Sequence, residues 1–154
     1  MRRRIVGFEQ DEVGDWVALL DCHHRRHVRH RPPLWPAEWV TDESQRAAHV
    51  GTELPCGRCD RAELPDDLVV VRTTPTWDEE TMPDGLRRAH RVAGGVWARM
   101  RVDAGALRLI VATDPRRDVV VRPGETQAIP PDVEHHVEPL GTVRFALDFL
   151  RPAE

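Results

Sequence analysis

From about residue 68 onward the chain is broken into short apolar-rich runs, and each is closed by a turn signal before it could complete an amphipathic helix. The runs cover 68–72, 88–92, 95–102, 106–112, 118–122, 126–129, 133–138 and 143–150. Between them fall Asp103-Ala104-Gly105, Asp114-Pro115-Arg116 and Pro123-Gly124. Many short strands at this spacing, with only 75–86 irregular, can bury their apolar faces as a β-sandwich or a closed barrel. The fold class expected is therefore mainly β.

Upstream the character differs. Residues 4–22 read as a β-hairpin, two apolar runs around Asp11 to Asp15 with Gly14 free to take the positive φ of the turn. The next segment, 23–33, has Val28 as its aliphatic residue, and Pro32-Pro33 stops regular structure. Thr41 or Asp42 then offers an N-cap for a short helix to about Val50, with Gly51 at its C-terminal end. All three cysteines lie before Leu64. A boundary is expected there, giving an N-terminal module over 1–64 and a β domain over 65–154.

Cys22-His23-His24 and Cys56-Gly57-Arg58-Cys59 are two candidate metal knuckles. A tetrahedral zinc ion takes thiolate and imidazole ligands, and Cys22, His24, Cys56 and Cys59 supply three of one and one of the other. His27 is an alternative fourth ligand. A module this small has little core of its own, so a structural metal would add stability that it otherwise lacks. An odd cysteine count fits a reducing compartment better than a disulfide framework. The three Arg of the N-terminus are followed by no apolar run of signal-peptide or membrane-span length, so a cytoplasmic protein is expected.

In the β domain, alternation sets the faces. His90, Val92, Val96, Ala98, Met100 and Val102 share one parity, Trp97, Arg99 and Arg101 the other. Val133, His135 and Val137 oppose Glu134, His136 and Glu138. His90 and His135 are thus expected to face inward as candidate ligands of a divalent metal, completed by His136 or Glu138 through a local bulge, or by water. The alternative is that both are hydrogen-bonded core histidines lining a small pocket.

Gly124, Pro130, Asp132 and His135 resemble the second motif of the cupin superfamily, G-x5-P-x-G-x2-H, with Asp132 at the second glycine position. Asp tolerates the turn geometry needed there. The first cupin motif is absent: Val92, Gly94 and Ala98 hold its positions. More widely, the segments 64–100, 105–109 and 129–151 resemble the tellurite-resistance TehB/YeaR-like domain of that superfamily, through Arg72-Thr73-Thr74-Pro75, Ala89-His90-Arg91, Gly95-Val96-Trp97 and Pro130-Pro131 with His135 to Pro139. The resemblance implies a cupin-like double-stranded β-helix barrel, without the methyltransferase domain that some tellurite-resistance proteins append. Residues 2–64 resemble a small family of bacterial domains of unknown function, through Gly7-Phe8, Asp11, Gly14 to Ala18, Cys22, His24, His27 to His30 and Pro32-Pro33. It has Gly where this chain has His23, so the ligating imidazole stays open.

The function expected is a small metal-binding protein of the tellurite-resistance type, with zinc-ribbon-like structural zinc in front and a barrel that takes a small molecule or oxyanion near His90 and His135. Arg91 or Arg72 would help neutralise such an anion. The alternatives are a metal-dependent cupin enzyme, with no catalytic residue assigned, and a non-catalytic regulatory module that docks a partner through the zinc domain. By resemblance to cupins a homodimer is expected, with Trp35, Trp39 and Trp97 as exposed contact residues. Arg25, Arg26, Arg29 and Arg31 form a basic run, but the module is near neutral overall and the chain carries a net charge of -4, so neither nucleic acid nor membrane is an expected partner.

Overall fold

A computed structural model describes residues 1–28 and 37–154. The Pro32-Pro33 stop and the Trp35 contact residue lie outside the described residues. The chain divides into two compact units, Met1–Cys56 and Gly57–Glu154. It is mainly β, as expected. Among the described residues no helix is long and apolar enough to cross a membrane.

The first unit is a four-stranded antiparallel sheet. Strands β1 (Arg2–Gln10) and β2 (Trp16–Leu20) form the expected hairpin, Gln10 opposite Trp16. Its turn is fixed by Asp11, whose Oδ1 accepts from the amides of Val13 and Asp15 at 3.0 and 2.8 Å, while Gly14 takes φ +84°. Strand β3 (Arg25–His27) adds to β2 and β4 (Glu53–Pro55) to β1. Helix α1 (Glu43–His49) starts on Asp42, which accepts from the Gln45 amide at 2.9 Å, and ends before Gly51 at φ +90°. It buries no side chain. Instead the Arg46 guanidinium lies 3.6 Å from the Trp16 ring centroid, and His49 stacks on Trp39 at 3.6 Å. Trp39 is thereby half-buried within its own unit.

The second unit begins with the short helix α2 (Gly57–Asp60), followed by β5 (Leu68–Thr73) and β6 (Trp77–Asp78). Strands β7 (His90–Arg91), β8 (Trp97–Ala104), β9 (Leu107–Val111), β10 (Arg117–Val121), β11 (Thr126–Ile129), β12 (Glu134–Pro139) and β13 (Arg144–Pro152) complete it. They form two antiparallel sheets, one ordered β10-β9-β12-β7 and one β11-β8-β13-β5, with β6 also on β13. Met100, Val102, Leu107, Leu109, Val111, Ile129, Val137, Phe145 and Leu147 form an apolar interior, each at most 3 % exposed.

Turns rest on residues that can hold a left-handed backbone. Gly105 has φ +73°, and a Cβ there would stand 1.9 Å from the Thr142 carbonyl oxygen, so only glycine fits. Asp132 adopts φ +58°, as expected of a residue in a glycine's place. Its amide donates to the Val92 carbonyl at 3.0 Å and its carbonyl accepts from Arg91 at 3.0 Å.

Two expectations need correction. Trp97 sits on the outer parity of β8 but is fully buried, so it is no exposed contact residue. Alternation says which face a side chain occupies, not whether that face is wet: opposite it in register Leu150 is 4 % exposed, and neighbouring Ala146 and Asp148 are 3 % exposed. His90 is exposed, because β7 is a two-residue strand at the margin of its sheet.

Candidate metal centre and the polar row of the second unit

Cys22, His24, Cys56 and Cys59 come together with all their ligand atoms within 4.8 Å of one another, and all are buried. The end of β2 delivers the first knuckle. The His23 amide donates to the Leu20 carbonyl at 2.8 Å, and the Leu20 amide to the His24 carbonyl at 3.1 Å, a tight loop that turns the Cys22 and His24 side chains the same way. The second knuckle follows β4, where the Cys56 amide donates to the Met1 carbonyl at 2.7 Å, and α2 raises Cys59. Arg26 of β3 donates to the Pro55 carbonyl beside Cys56.

The separations match a tetrahedral ion. With metal–sulfur bonds of about 2.3 Å and metal–nitrogen bonds of about 2.0–2.1 Å, tetrahedral edges are about 3.8 Å between sulfurs and about 3.5 Å from sulfur to nitrogen. Cys22 Sγ lies 3.9 Å from Cys56 Sγ and 3.5 Å from His24 Nδ1, and Cys56 Sγ lies 3.3 Å from that nitrogen. The Cys22 and Cys56 sulfurs are far beyond disulfide distance, and none of the three cysteines is in a disulfide. This group could hold a metal ion.

The open choice of imidazole is resolved by position. His24 is 1 % exposed, whereas His27 is exposed and pairs with Asp11 at 3.6 Å. His23 is the pivot of the loop, with φ +69°. A side chain in that region costs about 1–2 kcal/mol that glycine does not incur. His23→Gly is therefore expected to stabilise the protein by about 1 kcal/mol in urea denaturation with its metal content unchanged.

The four candidates of the β domain are not brought to one point. His135 is inward and 1 % exposed, and faces His90 directly across β12 and β7 with ring centroids 5.3 Å apart. His136 and Glu138 lie on the opposite face of β12, where Glu138 accepts from Arg108 at 3.1 Å and His136 stands 3.6 Å from Glu138. The register from His135–Val111 to Pro139–Leu107 is continuous, so the bulge needed to turn either inward is not there. Arg91 is engaged by the Asp132 carbonyl and Glu134, and Arg72 lies over the Phe149 ring.

Sequence reasoning missed Arg117 and Gln127. Arg117 pairs with Val111, Val111 with His135, and His135 with His90, so one cross-strand row of the inner face carries a guanidinium and two imidazoles. Arg117 Nε donates to Gln127 Oε1 at 3.2 Å, joining the two sheets. The parity of Arg117 with Val119 and Val121 was the available signal.

His135 Nδ1 donates to the Val133 carbonyl at 3.3 Å, which leaves Nε2 as a lone pair, and that nitrogen is buried without a partner. Burial pushes the imidazole from 6.5 down to about 4, and His90 and His136 press the same way against the Val133 bond. Between these values the unfolded chain takes the proton and the folded one does not, so stability rises with pH through the window. His135 alone is expected to remove about 3 kcal/mol as pH falls from 7 to 4. Urea denaturation should show a flatter pH profile for His135→Leu; an unchanged slope would rule out a buried neutral imidazole.

Comparison with known proteins divides the chain in the same way as its sites. Residues 6–63 match the model of a family described as a protein of unknown function, DUF3565, and residues 72–147 match that of the TehB-like domain. The uncharacterized protein YeaR of Escherichia coli, in strains K12 and O157:H7, is 27 % identical over 96 residues, covering 56 % of this chain and 81 % of YeaR. A crystal structure of an E. coli K12 protein, a Northeast Structural Genomics Consortium target, superposes with a TM-score of 0.53 at 26 % identity, over 60 % of this chain and 98 % of that one. TehB from Haemophilus influenzae superposes with a TM-score of 0.51 at 21 % identity, over 56 % of this chain and 32 % of TehB.

Proposed function

With a TehB/YeaR-like domain at residues 72–147 as the premise, we propose that this is a small metal-binding protein of the tellurite-resistance type. Its N-terminal module, residues 1–64, is built on a structural zinc ion held by Cys22, His24, Cys56 and Cys59. The observation that carries this reading is the convergence of four buried donors within 4.8 Å of one another, three of them at separations close to tetrahedral edges. Three thiolates and one imidazole suit zinc, and four protein ligands leave no open position, which favours a structural role over a catalytic one.

The second domain is read as a cupin-like barrel that takes a small ligand between its sheets. The unpartnered Nε2 of His135 supports this, since a buried acceptor without a donor is costly unless something visits it. Elemental analysis on untagged protein tests the whole reading. One zinc per chain is expected, lost in Cys56→Ser and kept in His135→Ala. Absence of metal from the wild type would overturn the zinc assignment, and a second ion lost only with His135 would make the barrel a metal site.

A further inference from the structure

The row Arg117, Val111, His135, His90 places two unlike polar groups on one apolar inner face. Among the described residues the Arg117 guanidinium meets an amide oxygen and no carboxylate, so its charge is not neutralised locally. A guanidinium there recognises an anionic oxygen. His135 asks for the reverse. Its Nδ1 proton is committed to Val133, its Nε2 is a buried lone pair, and a lone pair accepts from an N–H or O–H or binds a Lewis acid. A fully deprotonated anion would set oxygen lone pairs against that nitrogen.

Two strand spacings of about 4.8 Å separate the backbones of Arg117 and His135, with Val111 between them, and Arg117 reaches across to Gln127 of the facing sheet. Resting on the reading of the barrel as a ligand site, we propose that the row binds a small oxyacid monoanion that still carries one proton. The charged oxygen sits on Arg117, beside the Gln127 amide, and the remaining O–H donates to His135 Nε2. The site thereby selects protonation state as well as charge.

The test is calorimetric titration of the full-length protein with its metal in place, at pH 7, using monoanions that do or do not carry an O–H. Hydrogen selenite and bicarbonate carry one; nitrate and chlorate do not. The protonated pair is expected to bind about tenfold more tightly, the value of one buried hydrogen bond. Selenite affinity should fall as rising pH converts it to the dianion. Arg117→Gln should weaken every anion, Arg117→Lys should recover part of the loss, and His135→Leu should erase the preference. The wild-type comparison stands even if a variant fails to fold. Equal binding of nitrate, chlorate and the protonated anions would overturn the inference while leaving a ligand-binding barrel. Binding of none would overturn both. Binding that depends on an added divalent ion would make His135 a metal ligand and also overturn it.

Discussion

Stripping the metal from the wild-type protein is expected to unfold the N-terminal unit while the strands from β8 to β13 remain folded. The first unit has a thin core: Ile5, Val17, Ala18, Leu20 and Val40 are buried, α1 adds no side chain to it, and β3 and β4 are three residues each. Against this, structural zinc in small modules supplies on the order of 10 kcal/mol of folding free energy. Without a cation the donor set works against the fold, since thiolates packed within 4.8 Å of one another repel or must take up protons. Amide hydrogen exchange with and without a chelator checks this. Amides of β1 and β2 should lose their protection on metal removal and regain it when zinc returns, and Cys59→Ser should match the stripped protein. Persisting protection in β1 and β2 would show that the apolar core suffices.

Asp148→Ala is expected to destabilise the second unit by about 3 kcal/mol, the low end for breaking a buried ion pair. Asp148 is 3 % exposed on the outer face of β13 and accepts from Arg99 at 2.8 and 3.1 Å, from Arg101 at 2.8 and 3.1 Å, and from the Thr73 hydroxyl at 2.9 Å. Removing it leaves two adjacent guanidiniums with nothing between them. Their partial exposure, 31 % and 37 %, lets water offset part of the loss. Burial pushes the Asp148 carboxyl up, but the bonds from Arg101, Arg99 and Thr73 outweigh it and hold the carboxyl below its ordinary value of 3.8. Its contribution is therefore present above that value and lost as pH falls through the lower, folded one. Asp148→Asn, which keeps an acceptor, should cost less than Asp148→Ala in urea denaturation. Equal costs would mean that the charge alone matters there and that the retained shape and acceptor contribute nothing.

The candidate metal site was legible because its knuckle residues are close in sequence: Cys22 with His24 and Cys56 with Cys59 announce themselves by spacing, and the hairpin turn at Gly14 and the cap at Asp42 are equally local. Alternation correctly put His135 inward and His136 outward. It failed where exposure depends on what lies across a sheet, as at Trp97, or on how far a sheet extends, as at His90. Arg117 was passed over for a related reason. Nothing near it in sequence shows that Val111 and His135 stand beside it, since that row exists only once β10, β9 and β12 have paired. Arg72 and Arg91 looked suitable as anion partners because they adjoin the recognisable segments, and both prove to be engaged elsewhere.

Strand β13 pairs along one edge with β8 and along the other with β5 and β6. As the chain emerges from the ribosome, β5 must therefore wait for its neighbour: Thr73 and its partner Asp148 are 75 residues apart. At roughly 5–20 residues per second, that delay lasts seconds. Throughout it, Leu68–Thr73 is an unpaired apolar strand, and Val69, Val70 and Val71 are still 43 %, 46 % and 46 % exposed when folding is done. Nascent-chain aggregation is the vulnerability this topology creates, and the charges nearest the valine run on its N-terminal side are Asp66 and Asp67.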